Sequence, residues 1–335
     1  MRRRWRSWSR LRRVLVSVTL AVVVVVIAPL TTYAASLRLQ YAGEPSAEAR
    51  TRNHDALWLG HAWVDGRKTA ADVTALAQRL QTTGIRDVYV HTGPLEHDGS
   101  LPLAKVSPKA RWFVDAMHAA APAVRVQAWL GDVVQPGKNP GMNLDDPAVR
   151  RQVVESAKAV LAQGFQGIHY DFEPVRSGSK GYLAVLDETR ALKTTLSVAA
   201  AQIDPLWYLH AIPIDKWWSQ EYFAKVASRV DQIAIMSYDT AMPLESLYGG
   251  YVAKQTKLAL EVTPPNTVLL MGLPAYWESN PSHWGHAETV TAAVRGARLG
   301  LSNSTRQNFG LALYVDFAAT EDNWTAYRDG WCAAP

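Results

Sequence analysis

Apolar and polar positions alternate in two rhythms along residues 55–335. Eight short runs rich in Val, Ile and aromatic residues read as strands: ALWLGHAW (56–63), IRDVYVHT (85–92), AVRVQAWLG (123–131), FQGIHYDFE (165–173), TTLSVAAAQI (194–203), VDQIAIMSYD (230–239), TVLLMGLPAYW (267–277) and FGLALYVDF (309–317). Near-continuous apolar runs of this kind suit strands covered on both faces. Between them the apolar positions recur at helical spacing. TAADVTALAQRLQTTG opens on a Thr and closes on Gly84, and DPAVRRQVVESAKAVLAQG has Asp146 as cap, Pro147 in the first turn and Gly164 at its end. KWWSQEYFAKVASR, YVAKQTKLALEV and HAETVTAAVRGARLG fill the later gaps. Eight strands with intervening helices predict an α/β fold, a (β/α)8 TIM barrel, over residues 55–335, near the usual length of about 250 residues. No composition break divides this span, so it reads as one domain.

The first 54 residues follow another pattern. Seven arginines (Arg2, Arg3, Arg4, Arg6, Arg10, Arg12 and Arg13) precede the apolar run VLVSVTLAVVVVVIAPL, and TTYAAS follows it. Charged, apolar and small-residue regions in that order read as a signal peptide or signal anchor over residues 1–36. The run of 17 residues is just long enough to span a bilayer. Its arginines keep the N-terminus in the cytoplasm and place the rest outside, secreted or anchored to the membrane by the N-terminal helix. Residues 37–54 are polar and irregular, a linker.

Composition changes the picture in two ways. The formal charge of +5 becomes −2 once the seven N-terminal arginines are removed, so the basic balance belongs to the export segment and gives no reason to expect nucleic acid as a partner. The single cysteine, Cys332, excludes an intrachain disulfide, and the exported domain rests on its core.

A barrel of this class carries its chemistry at the C-terminal ends of its strands. The fourth run ends GIHYDFE. Strand parity places His169, Asp171 and Glu173 on one face, pointing into the barrel, and Ile168, Tyr170 and Phe172 on the other. Burial and the Asp171 charge both act to keep a proton on Glu173, which suits a general acid. Tyr238 and Asp239 close the sixth strand, where the tyrosine can donate and the aspartate accept a hydrogen bond. Trp63, Trp129, Trp207 and Trp277 fall at or beyond strand ends, and flat rings there can stack on sugars. Gln202, Asp204, His91 and Asp316 are further mouth candidates. No H-E-x-x-H, CxxC pair, G-x-G-x-x-G, P-loop or G-x-S-x-G is present, so neither a metal nor a cofactor is expected.

GIHYDFE resembles the fourth-strand signature D-G-x-D-x-D-x-E of glycoside hydrolase family 18, the chitinases and endo-β-N-acetylglucosaminidases. MSYD resembles its sixth-strand M-x-Y-D, VLLMGLPAYW its seventh-strand G-L-P-x-Y-G, and GLALYVDF its eighth-strand segment, with Tyr314 where a Trp is usual. The four lie in family order across roughly residues 55–320. The resemblance implies Glu173 as general acid, Asp171 orienting the substrate's acetamido group, and Tyr238 and Asp239 holding the sugar. It also implies the acetamido oxygen as nucleophile, with net retention. His169, Trp63, Trp129, Gln202, Trp277 and Tyr314 are the expected substrate-binding residues. Gln166 and His169 replace the first two aspartates of the signature. A histidine at 169 is expected to hydrogen-bond Asp171 and keep it ionised. The implied partner is an N-acetylhexosamine glycan: chitin-like, peptidoglycan or N-glycan. A catalytically inactive glycan-binding barrel and a membrane-anchored assembly protein are the competing readings.

Overall fold

The computed structural model describes residues 10–211 and 215–333. Arg2, Arg3, Arg4 and Arg6 of the N-terminal cluster lie outside the described residues. Eight parallel strands close into a barrel: β1 (Asp55–Leu59), β2 (Ile85–Pro94), β3 (Arg125–Val133), β4 (Gly167–Glu173), β5 (Thr195–Ala200), β8 (Gln232–Ile235), β9 (Val268–Pro274) and β10 (Phe309–Tyr314). The ring closes where β1 pairs with β10. Two short strands, β6 (Gln202–Ile203) and β7 (Trp217–Trp218), form a side ribbon in the β5–β8 connection. The chain is a (β/α)8 TIM barrel.

Helix starts follow local chemistry. Thr69 and Asp72 exchange bonds in a capping box before the helix Ala70–Leu80, and Asp146 caps Pro147–Leu161. Trp217 and Trp218, which sit in a helical pattern in the sequence, are instead strand β7. The following helix begins only at Gln220, where Ser219 supplies the cap.

Side-chain parity sorts the barrel into two layers. Outward residues such as Leu57, Val88, Val126, Ile168, Tyr170 and Ile233 pack with the helices in the main core. Inward, Ala56, Trp58, Tyr89, Trp129, Ala234, Leu270 and Ala312 form a second cluster. Below it runs a polar column. Gln127 Nε2 donates to Asp87 (2.7 Å) and to Gln232 Oε1 (2.8 Å), Gln232 Nε2 donates to Asp87 (2.7 Å), and Arg125 closes on Asp87 at 2.6 Å. Each buried polar group here has a partner, which offsets the cost of removing it from water.

The N-terminal segment differs from the expected tether. It is helical from Arg10 to Tyr41, with a π-helical stretch at Val23–Ile27 between Arg10–Val22 and Ala28–Tyr41. Leu37 is 1% exposed, packed against Leu247 and Tyr251 of the helix Glu245–Val262. Residues 43–51 are then strapped to the wall. Ser46 N–H donates to Ser302, Thr51 N–H to Trp331 O, and Arg298 to Ala49 O.

Candidate active site

Strand β4 places His169, Asp171 and Glu173 at three successive levels of the barrel interior, and they do different things. His169 is fully buried. Its Nε2 accepts the indole N–H of Trp58 at 3.0 Å, and its Nδ1 lies 2.7 Å from Ser197 Oγ. An indole nitrogen only donates, so the imidazole proton sits on Nδ1 and the ring is neutral. Burial holds its pKa well below the ordinary histidine value. Tyr89 stacks on it at 3.8 Å, and Ser197 passes the chain on to Gln127 at 2.9 Å. His169 therefore tops the polar column. It makes no bond to Asp171 and is not among the cleft-lining residues, contrary to the expectation from sequence. Gln166, just before β4, accepts from Val126 N–H at the base of the barrel.

Asp171 takes its hydrogen bond from Trp129 Nε1 at 2.9 Å. Its other oxygen, Oδ1, is buried and receives no N–H donor among the described residues. Burial raises the Asp171 pKa, opposed by the bonds from Glu173 and Trp129. Glu173 is solvent-exposed at the cleft mouth and is ringed by the other cleft-lining side chains. It is pushed well above the ordinary glutamate value, by burial first, then by the Asp171 charge and the bond to Asp171, and then by Asp239. Of the two, Glu173 has its protonated form favoured more strongly.

The opposite wall follows β8. Tyr238 is buried against Tyr314, ring centroids 5.2 Å apart and nearly parallel. Gly272 makes room for it: a Cβ there would lie 2.9 Å from the Tyr238 ring. No hydrogen bond ties the Tyr238 hydroxyl among the described residues. Asp239 has φ +56°, a left-handed conformation that aspartate tolerates. Its Oδ1 accepts from Tyr276 OH at 2.9 Å and its carbonyl from Lys216 Nζ at 2.5 Å. Behind it, buried His283 lies 3.5 Å from Asp239 and 3.3 Å from buried Glu288.

Together these groups line a cleft of about 510 Å³ at the C-terminal ends of the strands. Trp58, Tyr314, Met236 and Phe317 give it apolar surface, while Asp171, Glu173, Asp239, Asp215 and Glu278 face Lys216. Carboxylates outnumber the cation, so the cleft suits a neutral ligand with hydroxyl and amide donors better than an anion.

The remaining sequence candidates scatter. Gln202 lines the cleft, but its amide is occupied. It donates to Met236 O and Tyr238 O (3.0 and 2.7 Å) and accepts from Tyr251 OH (2.7 Å), fixing the segment that carries Tyr238. Trp63 falls in the turn after β1, not in a strand. It is buried against Phe113, its N–H donating to Asp316 at 2.7 Å, away from the cleft. Trp129 is buried under Asp171 and edge-on to His91, whose pKa burial lowers to about 4. Trp277 is 71% exposed and lies outside the lining residues. Asp204 holds His210 at 2.7 Å.

Trp58, Tyr276 and Lys216 are among the lining residues that the sequence did not mark. Inward parity with Ala56 marks Trp58. Tyr276 stands one place before the exposed Trp277 in LPAYW. Lys216 had no local signal.

No family model matches the sequence, and no curated protein matches it. Solved structures do. The chain is similar to the spore cortex-lytic enzyme SleL of Bacillus cereus, at 12% identity and TM-score 0.59, over 83% of this chain and 74% of that one. It is similar to the group IV chitinase of Ostrinia furnacalis solved with allosamidin, at 15% identity and TM-score 0.56, over 83% and 99%. It is also similar to the class V chitinase of Nicotiana tobaccum, at 12% identity and TM-score 0.54, over 83% and 98%. The barrel shares its fold with these chitinases and with the cortex-lytic enzyme.

Proposed function

We propose that the protein is a glycoside hydrolase that cleaves β-linked N-acetylhexosamine glycans by substrate-assisted, retaining catalysis. The observation that carries this reading is the placement of Asp171 and Glu173 side by side in the cleft at the end of β4, where the surroundings favour the protonated form of Glu173. Glu173 gives its proton to the glycosidic oxygen as that bond to the anomeric carbon breaks. The substrate's acetamido oxygen attacks the same carbon, and Asp171 accepts the acetamido N–H and offsets the positive charge that develops. Tyr238 OH, without a hydrogen-bond partner among the described residues, donates to the acetamido group. Water then opens the cyclic intermediate and returns its proton to the Glu173 carboxylate, leaving the configuration retained. No second carboxylate nucleophile is required. Trp58 and Tyr314 form the floor under the sugar ring.

The solved neighbours named chitinase and cortex-lytic enzyme support this substrate class. The apolar helix Val14–Tyr41 and the N-terminal arginines support export, with the barrel outside and the helix retained as an anchor.

A thiazoline mimic of the cyclised acetamide tests the mechanism. It should block release of reducing ends from N-acetylglucosamine oligomers and peptidoglycan, because transition-state-like ligands bind far more tightly than substrates. Turnover that the mimic leaves untouched contradicts the assisted step.

A further inference from the structure

The docked N-terminal helix sets the direction in which the cleft faces. Barrel helices return antiparallel to their strands, so the first turns of Glu245–Val262 lie at the mouth end and Val262 at the opposite pole. The N-terminal helix runs alongside with the same sense. Tyr33, Ala34 and Leu37 pack around Met242, Leu247 and Tyr251, and three residues further on Gln40 meets Lys257. The contact is close. A Cβ on Gly250 would lie 1.9 Å from Leu37 O, and one on Gly249 would lie 2.1 Å from the Tyr41 ring. Two adjacent glycines inside a helix cost stability unless a neighbour needs the space. Followed backwards from Leu37, the helix leaves the barrel past the mouth. Leu30, the last residue of the apolar run, comes seven residues earlier, about 10 Å further out at 1.5 Å per residue.

The rim on this side is apolar where soluble loops are polar. Trp207 is 83% exposed, and Tyr208, Leu244 and Trp284 are also exposed. Trp207 has φ +65°, a costly conformation for a bulky residue. The loop that carries it is held by Asp204, which accepts from Leu206 N–H and His210 N–H. Asp204 is within electrostatic reach of Tyr33 on the helix. On the other flank Trp284 packs edge-on to His286, which contacts Pro243 O beside Leu244. The exposed rings thus flank the exit of the helix on both sides. Tryptophan and tyrosine are enriched at membrane interfaces, where an apolar body meets a polar edge.

We infer that this aromatic rim rests on the headgroup layer of the membrane that the N-terminal helix spans, so that the cleft opens toward lipid and takes glycan carried at that surface. The inference rests on the anchored, glycan-cleaving reading above. It narrows that reading from N-acetylhexosamine glycans in general to those attached to a lipid carrier.

The experiment uses the full-length chain in lipid nanodiscs with Cys332→Ser as background. A fluorophore is placed at Leu244→Cys on the rim or at Asn303→Cys at the opposite pole, and lipids bearing a nitroxide quencher are added. The rim label should be quenched several-fold more than the polar label. Equal quenching at both positions, or stronger quenching at 303, overturns the inference. A Leu244→Ser, Trp284→Ser double variant should cleave soluble N-acetylglucosamine oligomers at the wild-type rate and a lipid-linked oligosaccharide in the same nanodisc about tenfold more slowly. Equal loss on both substrates also overturns it. Strong rim quenching with no turnover of either substrate would leave the membrane pose standing and remove the hydrolase reading, so the two failures are distinguishable.

Discussion

At the scale of residues, three side chains on one strand have three environments and three tasks. Glu173 carries the proton because burial and its neighbours' charges disfavour its anion. The acid works while protonated, so kcat/KM should fall as pH rises through the raised Glu173 pKa. Asp171→Asn removes the negative charge that helps hold the proton. The basic limb of the pH–rate profile should therefore move to lower pH, and kcat should drop by about 10²–10⁴. An unmoved limb would detach Asp171 from the titration. His169 is the contrasting case. Its partners are Trp58 and Ser197, so His169→Phe should destabilise the fold by about 1–3 kcal/mol by stranding the Trp58 N–H. The same variant should leave the pH profile in place, as followed by denaturant titration beside kinetics. A shifted profile would mean that His169 supports Asp171 after all. Strand parity made the shared face of these residues legible. It could not tell which level of the barrel is sealed, because that depends on Trp58 and Tyr89 closing over His169 from β1 and β2.

At the scale of elements, the strand–helix alternation was readable because the strands are mostly apolar runs and several helices carry a start signal, such as Thr69 or Asp146. Shorter elements were harder. Trp217 and Trp218 join a two-residue ribbon whose partner, Gln202–Ile203, is distant in sequence, and no local rhythm announces it. The helix Ala28–Tyr41 was expected to give way to a tether at residue 37 because residues 37–54 read as polar and irregular. The sign of docking lies on the partner, at Gly249 and Gly250. Gly250→Val should therefore release the N-terminal helix and leave the barrel folded. Amide exchange over residues 37–41 should quicken on the order of tenfold, with little change in melting of the barrel. Unchanged exchange there would mean that the helix does not depend on this contact.

At the scale of the whole molecule, the barrel joins a well-satisfied interior to a mouth that is electrostatically costly. The polar column from Asp87 to His169 is hydrogen-bonded throughout, whereas the carboxylates above it crowd one another. Glu173 has a raised pKa in the folded state. Its contribution to stability is full below the ordinary glutamate value of about 4.3 and is lost as pH rises through the raised one. A neutral replacement avoids that loss. Glu173→Gln should melt above the wild type at neutral and alkaline pH, with the gap closing near pH 4, as calorimetry across pH can show. This is the common exchange of stability for activity at a functional site.

The most direct measurement pairs that variant with the wild type on N-acetylglucosamine oligomers, recording binding by calorimetry and release of reducing ends. Wild-type turnover, with Glu173→Gln binding the same oligomers at similar affinity and cleaving them at least about 10²-fold more slowly, is the predicted result. Cleavage by the variant at the wild-type rate, or binding by both proteins with turnover by neither, would contradict it.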